Sequence, residues 1–580
     1  MRQFKWMFFL LLPIFVQSQI SNENIRLNQI GFYPGSNKIA IVSVPVSGSN
    51  FYITTTNLRD TLFRGQLKDT IKSEHSSLVT RIANFSGFTS RGSYVLSIPG
   101  LGHSHVFMIR DHVLQEVAKS SLKAFYYQRS SINLDPSFAG KWHRSAGHPD
   151  TKILIHPTAA SAKRLEGFII SSPGGWYDAG DYNKYIVNSG ITVSTLLSAY
   201  EHFPKYFASL QINIPESGSS IPDLLDETIY NIRWMLTMQD QEDGGVYHKC
   251  TNASFDGMVM PGITTEPRYV VQKSTAAALD FVAVMAQSAR VFSSLQKSLP
   301  GFSDSCRNAA LKAWKWALVH PADIYTQEKN NEQFLPKITT GTYGDGKIED
   351  EWLWASAEMY RTTGDLSYLK KLSNANTMDL PLQTWNQVGL LALYTLLSEK
   401  NKIPMGYESL WAQMKQVIVK KANELVAYQD SSAFHIPMGS KVSDFVWGSN
   451  ANAANQGMLL IYAHRLTGNK KYVEAASANA DYLLGRNATG YCFVTGFGGK
   501  SPMHPHHRPS IADGITEPIP GLLVGGPNPF MQDHCNYQFT ERETAYTDED
   551  CSYASNEIAI NWNAPAVYLF NAIEALMGKN

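Results

Sequence analysis

The chain has 580 residues, 44% of them hydrophobic and 17% charged, with 50 Lys and Arg against 50 Asp and Glu. That length predicts two or three units rather than one small domain, and a formal net charge of zero offers no electrostatic footprint for nucleic acid or an anionic membrane surface. The substrate is therefore expected to be uncharged or held by local contacts, and the 12 Trp and 28 Tyr suit stacking on pyranose rings as well as they suit a large core.

The first residues, Met1-Arg2-Gln3-Phe4-Lys5, are basic; Trp6 to Val16 are apolar, and Gln17-Ser18-Gln19 follow. This order predicts a signal peptide over residues 1–18 and an exported protein, periplasmic or secreted. The apolar run is too short to span a bilayer comfortably, and no later segment reads as a membrane helix. From 20 to about 110, short β-rich runs (Lys38–Val44, Phe51–Thr56, Ser77–Ile82, Ser93–Ile98, His105–Ile109) alternate with turn residues such as Pro34-Gly35-Ser36-Asn37. They predict a small β-sandwich with no cluster of acids, histidines or cysteines, hence a structural role.

After Asp111 the apolar period becomes helical, starting with Val113, Val117, Leu122, Phe125 and Tyr126. Further helices are expected over Ile191–His202, Leu224–Met238, Lys273–Phe292, Ala309–Val319, Glu351–Thr362, Thr384–Ser398, Tyr407–Tyr428, Asn452–Thr467, Lys471–Leu484 and Trp562–Met577. Helices that do not alternate with strands exclude a doubly wound sheet, and a toroid of paired helices over 111–580 is the natural arrangement. No flexible linker divides it from the sandwich, so the two should pack together. Of the five cysteines, Cys535 and Cys551 flank a short loop and are the best pair; Cys250, Cys306 and Cys492 complete the set, with no CxxC motif.

Three clusters carry chemistry. The first, Gly174-Gly175-Trp176-Tyr177-Asp178-Ala179-Gly180-Asp181-Tyr182-Asn183-Lys184-Tyr185, sets two acids three apart among glycines and aromatics. One carboxylate can hold a water while the other takes its proton, although such a loop can also bind calcium or cap a helix. The second runs Tyr546-Thr547-Asp548, Tyr553, then Asn556-Glu557 into an apolar stretch, where burial raises a carboxyl pKa and suits a general acid. The third, His504-Pro505-His506-His507-Arg508, lacks the partners of a metal site and reads as donors for sugar hydroxyls.

Together these segments resemble glycoside hydrolase family 9, the endoglucanases and related cellulases. The DAGD run at 178–181, the segment Val494-Thr495-Gly496 through Arg508, and Tyr546-x-Asp548-x4-Tyr553-x3-Glu557-x-Ala559-x3-Asn563-Ala564 match its signatures in order. Cys492 replaces a small residue usual there. Gly244-Gly245-Val246-Tyr247-His248-Lys249, Asp350-Glu351-x-x-Trp354-Ala355 and Trp447-Gly448-Ser449-Asn450 match further, and Leu27-Asn28-Gln29-Ile30-Gly31-Phe32 resembles the immunoglobulin-like module of one subgroup. The resemblance implies a mainly α fold, an (α/α)6 barrel behind an immunoglobulin-like sandwich, acting on a β-glucan polysaccharide or oligosaccharide as a monomer without membrane insertion or a required cofactor. It implies Asp181 as general base, Asp178 as holder of the attacking water, Glu557 as general acid, and His248, His506, Arg508, Tyr553 and Asp548 as substrate-binding. Inversion at the anomeric carbon would set the two carboxyls about 6.5–9.5 Å apart. Some members bind structural calcium near the match to Asp350 and Glu351; Gly346 and Lys347 stand here where a Ser-Gly pair is common, and a lysine opposes a cation. The cysteine of the family's zinc site is missing from Trp142–Gly147, so no zinc is expected. An exo-acting cellodextrinase or glucosaminidase on the same scaffold is the alternative activity, and an inactive carbohydrate-binding protein the alternative class.

Overall fold

The computed structural model describes residues 21–370, 379–398 and 403–578. The signal-peptide segment lies outside them. Residues 25–109 form two facing sheets. One has the order Ile25–Arg26, Ile39–Val42, Val79–Asn84, Ile71–Lys72; the other runs Gly31–Phe32, Phe107–Ile109, Gly92–Ile98, Asn50–Thr55, Thr61–Gln66. The strand at 61–66 has no counterpart in the sequence reading, because it is an exposed edge without an apolar alternation.

The strand Ile39–Val42 is buried on both faces. Ala40 and Val42 point into the sandwich with Phe51, Phe85 and Phe107, whereas Ile39 and Ile41 join Ile82 and Tyr33 in the core of the helical domain. A period of two thus serves two cores at once. Polar pairs rim this junction: Asn28 Nδ2 donates to Asp481 at 2.7 Å, and Gln29 Oε1 accepts from the backbone of Gly499 and Lys500 at 2.8 and 3.0 Å.

Among the described residues eleven longer helices follow: α1 Gln115–Tyr127, α2 Ile186–His202, α3 Asp223–Thr237, α4 Thr275–Phe292, α5 Phe302–Val319, α6 Glu349–Thr363, α7 Gly389–Leu397, α8 Glu408–Ser431, α9 Ser449–Thr467, α10 Lys470–Leu483 and α11 Ile560–Met577. The inner ring runs α2, α4, α6, α7, α9 and α11, closing where Tyr394 of α7 stacks on Tyr462 of α9 at 3.9 Å and where α11 returns to α2. Outside it, α5 packs on α4, α10 on α9, α1 on α11 and α3 on α2. Inner helices are apolar all round because both faces are covered. One of them, with the turn that follows it (Thr275–Leu295), is long and apolar enough to cross a membrane, contrary to the sequence reading; 94% of its 18-residue apolar window is buried inside the barrel, which accounts for its composition.

A five-stranded sheet inside the helical domain was not anticipated: Ile169–Ile170, Ile153–Ile155, Arg268–Val270, Lys249–Asn252 and Lys184–Tyr185. Its strands are two to four residues long, too short to show alternation in sequence. It holds the end of the DAGD loop against the strand that begins at Lys249. The α7 helix starts at Gly389, five residues later than the periodicity suggests, and 381–387 form an irregular segment instead. Cys535 and Cys551 are disulfide-bonded, and Cys250, Cys306 and Cys492 are free and buried.

Candidate active site

Backbone bonds knit the three sequence clusters into one floor. Ile560 N donates to Asp178 O at 2.9 Å, Arg508 N to Gly180 O at 3.2 Å, His506 N to Asn556 O at 2.9 Å, and Gly525 N to Glu557 O at 2.8 Å. A Cβ on Gly180 would sit 2.2 Å from the His506 carbonyl oxygen, so only glycine permits this contact. The floor opens into a cleft of about 940 Å³ that Asp178, Asp181 and Glu557 share with His506, Arg508 and Tyr553.

The two aspartates differ in how their oxygens are used. Asp178 Oδ1 accepts from Asn188 Nδ2 at 2.6 Å and Oδ2 from Tyr343 OH at 2.7 Å, so both are engaged. On Asp181 every protein donor falls on Oδ2: Asn183 Nδ2 at 2.6 Å, Tyr185 OH at 3.2 Å and Asn183 N at 3.3 Å. Among the described hydrogen bonds Oδ1 receives none, and Asp181 lines the cleft. Burial, then the adjacent Asp181 charge, push Asp178 up to about 8.

Glu557 follows a short helical turn, Tyr553–Asn556, in extended conformation (ψ 157°), which swings its side chain back toward the aspartates. It keeps a patch of surface on the cleft, yet packing strips most of the water from its carboxyl. That desolvation, then the charges of Asp181 and Asp178, raise its pKa well above the ordinary glutamate range, against the pull of Arg508.

His506 directs Nδ1 at the Asp550 carbonyl, 2.6 Å away, which puts the ring proton there and leaves Nε2 as an acceptor; burial lowers its pKa and keeps it neutral. This differs from a loop of donors only. Arg508 is anchored by Nε to Asp256 O at 2.9 Å and Nη1 to Gly180 O at 2.8 Å. Tyr553 is held by its hydroxyl on Gln532 O at 2.7 Å and packs beside Trp447, 5.3 Å between rings.

Two expected sugar-binding residues do not face the cleft. His248 is 1% exposed, and both ring nitrogens are occupied, Nδ1 with Ser274 Oγ at 2.8 Å and Nε2 with Thr342 O at 2.9 Å. It stacks on Tyr325 at 4.3 Å and pins the turn at Tyr343, whose φ of 44° is strained for a non-glycine residue. Asp548 accepts from the backbone of Met503 and His504 at 2.8 and 3.0 Å and from Asn556 Nδ2 at 3.1 Å, so it anchors the histidine loop. His507 is likewise buried, between Ser510 and Gln128.

The sequence reading missed Tyr343, Asn188, Asn183 and the cleft aromatics Phe255, Trp385 and Trp562. Asn188 alone left a signal: a polar residue inside an apolar helix. A second cavity, about 360 Å³, lies where the sandwich meets the barrel, away from the motif residues, beside the buried pair Asp481 and Arg486.

The calcium expectation falls on a cluster of acids at the start of α6. Asp280 and Glu351 are buried with no donor on either oxygen of each; Asp345 Oδ2 is also unanswered, and Asp350 Oδ2 accepts from Val388 N at 2.6 Å. Orphaned hard oxygens are the right donor chemistry for calcium. Among the described residues, however, no group of three or more His, Cys, Asp or Glu is arranged to hold a metal ion.

A barrel of paired helices whose cleft gathers Asp178, Asp181 and Glu557 between aromatic side chains has the make-up of a glycoside hydrolase. The pattern of glycosyl hydrolase family 9 matches residues 115–570, and that of the cellulase N-terminal Ig-like domain matches residues 21–103. The chain is similar to the xyloglucan-specific endo-β-1,4-glucanase of Bacteroides ovatus, 46% identical over 562 residues, 96% of this chain and 95% of the relative. It is 34% identical over 562 residues to endoglucanase D of Acetivibrio thermocellus, covering 94% of this chain and 83% of that one. Among solved structures, a Bacteroides ovatus family 9 protein superposes with a TM-score of 0.91 at 45% identity (96% and 100% coverage). A single-mutant thermostable endoglucanase from Alicyclobacillus acidocaldarius gives 0.84 at 30% identity (95% and 99%). The chain belongs to glycosyl hydrolase family 9, as an enzyme of its endoglucanase branch with the Ig-like module.

Proposed function

We propose that the enzyme is an inverting endo-β-1,4-glucanase acting on xyloglucan or a related soluble β-glucan, exported and working as a monomer. Asp181 acts as general base, Asp178 steadies the attacking water, and Glu557 protonates the leaving oxygen. The observation that carries this assignment is the free Oδ1 of Asp181 beside an Asp178 whose two oxygens are both occupied. A base needs an open lone pair on the cleft; a group that only orients and polarises does not. Glu557, kept protonated by its buried surroundings, completes the acid–base pair. His506 offers an acceptor, Arg508 a donor, and Tyr553 a ring face to the sugar next to the scissile bond. Hydrolysis by two carboxyls and water calls on no cofactor. Calcium, if bound, would take oxygens of Asp350 and Glu351 and serve stability alone.

Xyloglucan is preferred because the similar Bacteroides ovatus enzyme is specific for it. Initial rates and product lengths on xyloglucan, mixed-linkage glucan and carboxymethyl cellulose test the substrate. Proton NMR of the first turnovers tests the stereochemistry: the α-anomer is expected first, and a β-anomer would overturn the assignment of Asp181 as base.

A further inference from the structure

Lys249 lies directly behind the catalytic floor and has no role in the reading above. It is 0% exposed. Its strand pairs with the end of the DAGD loop, Tyr185 opposite Lys249. Nζ donates to Gln327 Oε1 at 2.7 Å, Gly341 O at 2.7 Å and Thr340 Oγ1 at 3.1 Å. Three oxygens match the three N–H bonds of an ammonium, and two of them, the Gln327 amide oxygen and the Gly341 carbonyl, can only accept.

From there a hydrogen-bonded path leads to Asp181. Thr340 Oγ1 accepts from Lys249 and lies 2.6 Å from Thr251 Oγ1. Thr251 Oγ1 can donate to Asn183 Oδ1 at 3.0 Å or to Asn252 O at 2.8 Å, and Asn183 Nδ2 donates to Asp181 Oδ2 at 2.6 Å. With the Thr251 proton on Asn183, each donor points from the cation toward the carboxylate and each bond polarises the next. Lys249, Thr251, Thr340, Asn183 and Asp181 are all at most 5% exposed. The same Nζ ties Gly341, two residues before the Tyr343 that donates to Asp178.

We propose that Lys249 is a positioning residue for hydrolysis: a buried cation that, through Thr340, Thr251 and Asn183, stabilises the ionised Asp181 and fixes which of its oxygens faces the water. The inference rests on Asp181 being the base. The charged and titratable groups facing Asp181 are Asp178, Glu557, His506 and Tyr185, besides Lys249 itself. Asp181 and Glu328 oppose the burial that lowers the Lys249 pKa to about 7, and His156, His248, Tyr185 and Tyr325 also face it. On the acidic side of neutrality it is thus charged, and that is where its effect on the base is to be read.

The test compares wild type, Lys249→Met and Lys249→Arg by kcat/KM on soluble xyloglucan from about pH 4 to 8, with circular dichroism and Tm confirming the fold. Lys249→Met should move the acidic limb up by about one pH unit, lowering kcat severalfold across the limb and at most about tenfold below it, with KM within about twofold. Lys249→Arg should hold the limb near its wild-type place. Uniform loss at all pH values with the limb unmoved, or equal limb shifts in both variants, would overturn the proposal. Where Lys249→Met does not fold, Thr251→Val cuts the chain at its middle hydroxyl: a fall in kcat at constant KM is expected, and wild-type kcat would overturn it. The base reading fails separately, by Asp181→Ala retaining wild-type turnover.

Discussion

The protein buries two clusters of acids and treats them oppositely. At the cleft floor, Asp178 and Asp181 receive five donors from Asn183, Asn188, Tyr185 and Tyr343. At the head of α6, Asp280 and Glu351 receive none. Crowding of like charges is common to both, since Asp280 and Glu351 are each pushed far up by burial and then by the neighbouring acids, Glu351 to about 12. Donors aimed at a carboxylate favour its charged form, although at Asp178 they offset only part of the burial that pushes it up to about 8, and a carboxylate held this way on a cleft can do chemistry. Without donors, the acid must keep its proton or take a cation, and it can serve only the fold.

The largest effects should come from removing the acid or the base. Glu557→Gln should abolish turnover of natural glucans, about 10³-fold or more, because the amide has no proton to give the leaving oxygen. An aryl glycoside with a good leaving group should lose far less; equal losses would remove Glu557 from the acid role. Asp181→Ala should be as inactive, and azide should restore turnover with an α-glycosyl azide as product. The wild-type pH profile has a matching sign: Glu557 loses its proton only well above the ordinary glutamate range, so the basic limb should be displaced upward and should vanish for the aryl substrate, which needs no acid.

A smaller loss, about 10–100-fold in kcat, is expected of Asp178→Ala, because solvent can replace part of a water-orienting role. Tyr343→Phe removes one of the two donors to Asp178 and should cost about tenfold with KM little changed. If Asp178→Ala proved as dead as Asp181→Ala, the distinction drawn from the free oxygen would fail.

How much of this could be read in the sequence follows from chain distance. Asp178, Asp181 and Glu557 lie in contiguous motifs, so residue type and spacing expose them. Their donors do not: Tyr343 lies 165 residues from Asp178 and sits in a turn without periodicity. His248 was misplaced because a sequence does not show that Ser274 and Thr342 occupy both its nitrogens. The inner helices were visible as apolar runs, whereas the five-stranded sheet, built of two- to four-residue strands, needs tertiary partners to exist at all. The clustered acids at 280, 345, 350 and 351 come from two helices and a loop, and only two of them adjoin in sequence.

Metal removal sharpens the other side of the comparison. If calcium answers the α6 acids, EDTA should lower Tm by about 2 °C or more and added calcium should restore it, with kcat unchanged at assay temperature. An indifferent Tm would assign the cluster to retained protons alone.

The smallest effect expected on activity, and the most direct test of the contrast, is Asp280→Asn in EDTA. The amide is isosteric, carries no charge, and its Nδ2 can supply a donor to Glu351, whose two oxygens have none. Native Asp280 has its pKa raised, so the folded state holds a proton that the unfolded state releases above about pH 4. Its contribution to stability is present below that pH and is lost as pH rises toward the folded-state value. The variant escapes this penalty. Its Tm should exceed that of wild type at pH 7, and the difference should shrink at pH 5, where the unfolded chain binds more protons. Activity should stay within about twofold, since Asp280 touches neither substrate nor the catalytic acids. The same aspartate-to-amide change at Asp181 should leave a folded but inactive protein. A destabilised Asp280→Asn would mean that the α6 acids are answered by a charge, and that they resemble the cleft floor more closely than their missing donors indicate.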